Sequence, residues 1–147
     1  MHYPRTERQA EFMALADRLA AQIAERAAEH DREGTFPHEA FCALHESGYL
    51  ALTVPEEFGG RGADPLEVAL AQERLARGDG AVALSATMHL VLVGRLAETR
   101  PWPEELFARF CREVVADGAL INSAASEPEL GSPSRGGLPA TTATKVP

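Results

Sequence analysis

Residues 81 to 94 run almost without a polar side chain, broken only by Ser85, Thr87 and His89. A helix that is apolar nearly all round has no face to offer water, so other elements or lipid must enclose it. A membrane span needs about 20 residues, and this stretch falls short. It therefore reads as a buried helix, expected from about 81 to 99, at the centre of a helical bundle. No membrane association is expected.

The rest of the chain supplies helices to cover it. Phe12, Leu15, Ala16, Leu19 and Ile23 recur at three- and four-residue steps between charged positions, which predicts a first helix over about 5 to 33, stopped by Gly34. Pro37 can open a second that carries Phe41, Leu44 and Cys42 inward until Gly48. After a glycine-rich stretch, Asp64 as N-cap and Pro65 at the first turn open a third, bearing Leu66, Val68, Ala69, Leu70 and Leu75. Gly78-Asp79-Gly80 ends it. Beyond Pro101-Trp102-Pro103 a fifth helix, about 103 to 116, should bury Leu106, Phe107, Phe110, Val114 and Val115 and expose Glu104, Glu105, Arg112 and Glu113.

Near Gly118 the composition changes. Alanine, leucine and glutamate give way to Ser, Thr, Gly and Pro, with a short apolar run at Ala119-Leu120-Ile121 and an alternation over 141 to 146 compatible with a strand. The expected organisation is a helical domain over 1 to 118 and, over 119 to 147, the start of a second, β, domain that is cut off. With 14 Lys and Arg against 22 Asp and Glu the net charge is −8, so nucleic acid and anionic lipid are unlikely partners. Cys42 and Cys111 stand far apart with no histidine or cysteine at metal-ligand spacing, which argues against zinc and suits a reducing compartment. The polar N-terminus offers no apolar core for a secretory signal, and a cytoplasmic location is the default expectation.

Residue chemistry points weakly to a site. Gly59, Gly60 and Gly62 match neither nucleotide-binding fingerprint and read as a structural connector. Ser123, Ser126, Ser132 and Ser134 around Gly131 offer donors to a phosphate or a flavin edge, or form a solvated loop. His89, four residues after Ser85, either meets a substrate or satisfies a core neighbour, and the second is the commoner fate. The pairs Glu56-Glu57 and Glu104-Glu105 read as solvated turn and first-turn acids.

Three pieces together carry a resemblance to the acyl-CoA dehydrogenase family. Val54-Pro55-Glu56-Glu57-Phe58-Gly59-Gly60-Arg61-Gly62 resembles the family's V-P-E-E-[YF]-G-G-x-G turn. Gln72-Glu73-Arg74-Leu75-Ala76-Arg77-Gly78-Asp79 is similar to the glutamate-leading helix end that follows it. Ser126-Glu127-Pro128-Glu129-Leu130-Gly131-Ser132 is similar to T-E-P-x-x-G-S at the start of the β domain, with Glu129 and Pro133 standing where many members have glycine and aspartate. The fold class implied is mainly α, an N-terminal helical bundle of the acyl-CoA dehydrogenase type followed by a truncated start of a β domain.

That resemblance implies FAD as cofactor and dehydrogenation across the α,β-bond of an acyl-CoA thioester, with an electron acceptor as second partner and a homo-oligomer or self-association as the expected assembly. It sets Ser123, Ala125 and Ser126 along the flavin ring, Gly131 and Ser132 beside the cofactor and the substrate arm, and Leu84, Thr87 and Met88 in the acyl pocket. The family continues beyond Lys145-Val146-Pro147 into the region bearing the catalytic carboxylate, so no base is assigned here and the chain alone is expected to be inactive. Two alternatives stand beside this reading: part of a flavin monooxygenase of the same fold, and a non-catalytic helical fragment that at most binds a partner.

Overall fold

The computed structural model describes residues 3–123, 127 and 140–144. Among them are five α-helices: α1 (Glu7–Glu33), α2 (His38–Glu46), α3 (Pro65–Leu75), α4 (Gly80–Thr99) and α5 (Glu104–Asp117), with short 3-10 turns at Tyr49–Ala51 and Glu56–Phe58. All five expected helices are present; α3 starts at Pro65 as expected, and the other four are displaced by a residue or two at their starts. Thr6 caps α1 by accepting from the Gln9 amide, so the helix begins at Glu7 and not at Arg5. Pro37 stands just before α2 instead of inside it. At α3 the Asp64 carboxylate accepts from Glu67 N while the Glu67 carboxylate accepts from Asp64 N, a reciprocal cap with Pro65 in the first turn. The α4 start is capped by Asp79, which accepts from Ala81 and Val82.

Packing divides into two apolar clusters. The larger joins Phe12, Ala16, Leu19 and Ile23 of α1 to Leu44, to Val68, Ala71 and Leu75 of α3, and to Val82, Ala83, Ala86 and Leu90 of α4. The smaller holds Ala51, Val54, Val93, Phe107, Cys111 and Val114. Residues 49 to 54 run between the two, sending Tyr49, Leu50 and Leu52 into the first and Ala51 and Val54 into the second. The Thr53 hydroxyl donates to Leu90 O at 3.0 Å and ties this segment to α4.

Four expectations need correcting. Cys42 is exposed, because Ala40 and Leu44, with the half-buried Phe41 and Ala43, are the α2 positions that meet the core. Leu106 is 39 % exposed, while Phe107, Ala108, Cys111 and Val114 form the inner face of α5. Residues 141 to 144 are in neither helix nor strand. Lastly, α4 is not covered all round: Val82, Ala86, His89, Leu90 and Val93 are buried, but Leu84, Met88 and Val91 face outward. By length and composition alone this helix of 20 residues, with a mean hydropathy of 1.5 over an 18-residue window, could cross a membrane. Its inner face is committed to a protein core.

Two glycines in the motif-bearing segments are required by close approach. A Cβ on Gly60 would lie 2.1 Å from Val54 O, and one on Gly78 would lie 2.2 Å from Ala20 O. The first lets the glycine-rich turn fold back on its own lead-in. The second lets the end of α3 press against the α1 backbone.

Candidate functional site

Leu84 and Met88, four apart, share the outer face of α4 with Val91, and the three are 66 %, 44 % and 55 % exposed. Beside this strip an open groove of about 540 Å³ is lined by Thr53, Ala63, Pro65, Val68, Leu90, Val91, Gly94, Arg95 and Glu98. Thr87, at neighbouring helix spacing, is half-buried. Its hydroxyl donates to Ala83 O at 2.8 Å and accepts from the Gln72 amide group, which also donates to Ala83 O at 2.9 Å. Gln72 Oε1 in turn accepts from the Tyr49 hydroxyl at 2.6 Å, and burial pushes the Tyr49 pKa up. Tyr49 and Gln72 thus orient Thr87, a network that residue patterns did not reveal because its members come from three separate elements.

His89 is 2 % exposed and bonded at both nitrogens. Nε2 lies 2.9 Å from Leu50 O, and Nδ1 lies 3.2 Å from the amide nitrogen of Ile121. A carbonyl can only accept and an amide N–H can only donate, so the ring is the neutral tautomer with its proton on Nε2. Desolvation lowers its pKa below the ordinary 6.5, opposed in part by the bond to Leu50. The core-satisfaction reading of His89 therefore holds for Leu50. The bond to Ile121 was not legible, since nothing in the local pattern of α4 points to a residue beyond α5.

The segment leaving α5 leads to the expected flavin-edge residues. Ser123 is exposed, and its amide donates to Asn122 Oδ1 at 2.7 Å. Ala125, Ser126, Gly131 and Ser132 lie outside the described residues. Glu127, the acid of the third motif, accepts from the Thr141 hydroxyl and from the amides of Ala140 and Thr141, both at 2.8 Å. The Thr141 hydroxyl first, and then the two amides, hold its carboxyl below the ordinary carboxylate range.

The glycine-rich turn is an ordered connector. Gly62 N donates to Val54 O at 2.8 Å and Ala63 N to Leu52 O at 2.7 Å. Its two acids are exposed, as expected, and each also pairs with an arginine. Glu56 pairs with Arg8 at 3.1 Å, and Arg8 also bonds Glu67 at 2.9 Å and Arg61 O at 2.5 Å. Glu57 pairs at 2.6 Å with Arg100, whose guanidinium also meets Glu104 at 3.1 Å and sits 4.5 Å from the centre of the Phe107 ring. Among the described residues no cluster of three or more His, Cys, Asp or Glu could hold a metal ion.

Comparison with known proteins places this architecture. Residues 6–99 match the family described as acyl-CoA dehydrogenase, N-terminal domain. The Bacillus subtilis (strain 168) protein YdbM, which carries an acyl-CoA dehydrogenase name, is 45 % identical over 139 residues, covering 95 % of this chain and 36 % of its own length. The amino sugar nitrososynthase RubN8 of Streptomyces rubradiris is 32 % identical over 124 residues, covering 80 % of this chain and 29 % of its own. Among solved structures, KijD3 in complex with FMN and a dTDP-linked keto sugar superposes with a TM-score of 0.72 at 37 % identity, over 81 % of this chain and 30 % of that one. The chain spans about a third of the length of these relatives. The turn clamped between α1 and α4, the reciprocal cap of α3 and the half-covered apolar helix are thus those of a chain that belongs to the acyl-CoA dehydrogenase family, matching its N-terminal domain.

Proposed function

We propose that this chain is the amino-terminal part of an FAD-dependent acyl-CoA dehydrogenase, with residues 1 to 118 as the helical domain and 119 to 147 as the start of the β domain. The observation that carries the reading is the strip of Leu84, Met88 and Val91, left open on a helix whose opposite face is core. An apolar strip of this kind on a soluble domain marks a surface meant to be covered. A fatty acyl chain has the matching chemistry. In this reading Leu84, Thr87 and Met88 line the acyl pocket, Leu84 and Met88 excluding water from it and Thr87 being oriented by Gln72.

Ser123 fits a flavin-edge donor, being an exposed hydroxyl on the segment that leaves the helical domain. Ala125, Ser126, Gly131 and Ser132 complete the proposed cofactor set. A flavin supplies the acceptor for the substrate's β-hydride, and hydrogen-bond donors at its edge tune its electron affinity. The α-proton base is assigned to the part of the whole protein outside these residues. Acyl-CoA and an electron acceptor are the proposed partners of that whole protein, in the cytoplasm. The strip also favours self-association of this chain alone.

A second reading, a flavin monooxygenase of the same fold, draws support from the names of RubN8 and KijD3's bound FMN. A non-catalytic helical module is the third. Reading the coding DNA past Pro147 tests them. A continuing frame whose product desaturates an acyl-CoA bears out the first, oxygen-dependent hydroxylation moves the chain to the second, and an immediate stop codon favours the third. The chain alone should retain little or no flavin on purification, since enclosing the ring needs walls from several elements. Stoichiometric, tightly held FAD would contradict that expectation.

A further inference from the structure

We propose that His89 is a positioning residue: its ring is a two-ended peg that fixes the segment leaving α5, and through it the site of Ser123, to the helical domain. The peg has one chemical form. Nε2–H donates to Leu50 O at 2.9 Å, in the segment between the two apolar clusters, and Nδ1 accepts from Ile121 N at 3.2 Å. The bond to Leu50 is buried and the bond to Ile121 half-buried, on a ring that is itself 2 % exposed.

The chain around it is built for the same purpose. Gly118, where α5 ends, lies against the His45 ring so closely that a Cβ there would stand 2.8 Å from Cγ, and His45 Nε2 donates to Val115 O at 3.2 Å. Ile121 packs onto the smaller apolar cluster. Three successive points, at 115, 118 and 121, are therefore held before the chain reaches Ser123. Of these, His89 supplies the last polar one. Leu120 is 51 % exposed, so the apolar hold on this stretch comes from Ile121, to which the His89 bond adds a polar one.

The proposal's functional weight rests on the flavin reading of Ser123, but the peg exists without flavin and is tested without it. In the chain as it stands, ¹⁵N spectra of the imidazole should show the neutral Nε2–H tautomer alone, and the Ile121 amide should exchange with deuterium at least about tenfold slower than its unstructured rate. His89→Leu removes both bonds and should abolish that protection while amides within α1 keep theirs. His89→Gln, whose amide can donate to Leu50 and accept from Ile121, should restore most of it. If the leucine variant does not fold, the wild-type spectra and the glutamine variant decide. An unprotected Ile121 amide, a mixture of tautomers, or protection lost equally across all helices in the glutamine variant would overturn the peg. A chain that passes these tests but never takes up flavin, even within a longer frame, overturns the flavin reading instead.

Discussion

At the scale of single residues, the described chain sorts its titratable groups by what surrounds them. Desolvation holds the His89 pKa below 6.5. Above that value the ring is neutral whether folded or not, and its contribution to stability is fully present. As pH falls through 6.5 the unfolded chain takes up the proton while the folded one does not, so this contribution is lost progressively towards the folded pKa. Urea midpoints measured near neutrality and about two pH units lower should fall less for His89→Gln than for wild type; equal losses would refute the assignment. The cysteines divide in the same way. Burial first of all pushes the Cys111 thiol up to about 11, and the residue is fully enclosed, whereas Cys42 is exposed. Iodoacetamide should modify Cys42 in the native chain and reach Cys111 only after unfolding, as mass spectrometry of the digested protein can report. Cys111 is the small apolar residue that its isolation in the sequence suggested. Cys42 is not, since α2 turns Ala40 and Leu44, flanked by the half-buried Phe41 and Ala43, to the core and leaves Cys42 outside.

At the scale of elements, the family's turn and helix-end motifs are places where chain meets chain. Gly60 and Gly78 have no room for a Cβ, because backbone oxygens occupy it. Gly60→Ala and Gly78→Ala should each lower the unfolding free energy by about 1–3 kcal/mol or more, the cost of forcing extra volume into a packed site. Urea denaturation measures this, and a loss within experimental error would mean that the backbone yields. The turn's glutamates show the limit of local reading: both are exposed, as the adjacent pair suggests, but their partners Arg8 and Arg100 lie 48 and 43 residues away. Helix positions, by contrast, were legible, since a 3.6-residue period and a Ser, Thr or Asp cap are local properties. The exception within an element is α4. An apolar period says that a helix is enclosed but not by what, and only its inner half is enclosed among the described residues.

At the scale of the whole molecule, that uncovered half governs behaviour. Replacing Leu84 and Met88 together by glutamine should leave the unfolding free energy within about 0.5 kcal/mol, as for other surface positions, while reducing self-association in analytical sedimentation. A large loss of stability would mean that the strip is packed within one copy of the chain. What the amino-acid sequence determined by itself is the set of helices, most of their inward residues and the family's motifs, because each follows from spacings of a few residues. Leu84 and Met88 share a face by their spacing, but Thr87 is claimed by Gln72 and, through it, Tyr49. Tertiary structure alone decided that commitment, the outward face of α4, and the tautomer of His89. Its two partners lie 39 residues before it and 32 after it, and a hydrogen-bonding ring takes its proton state from whatever the fold sets against each nitrogen.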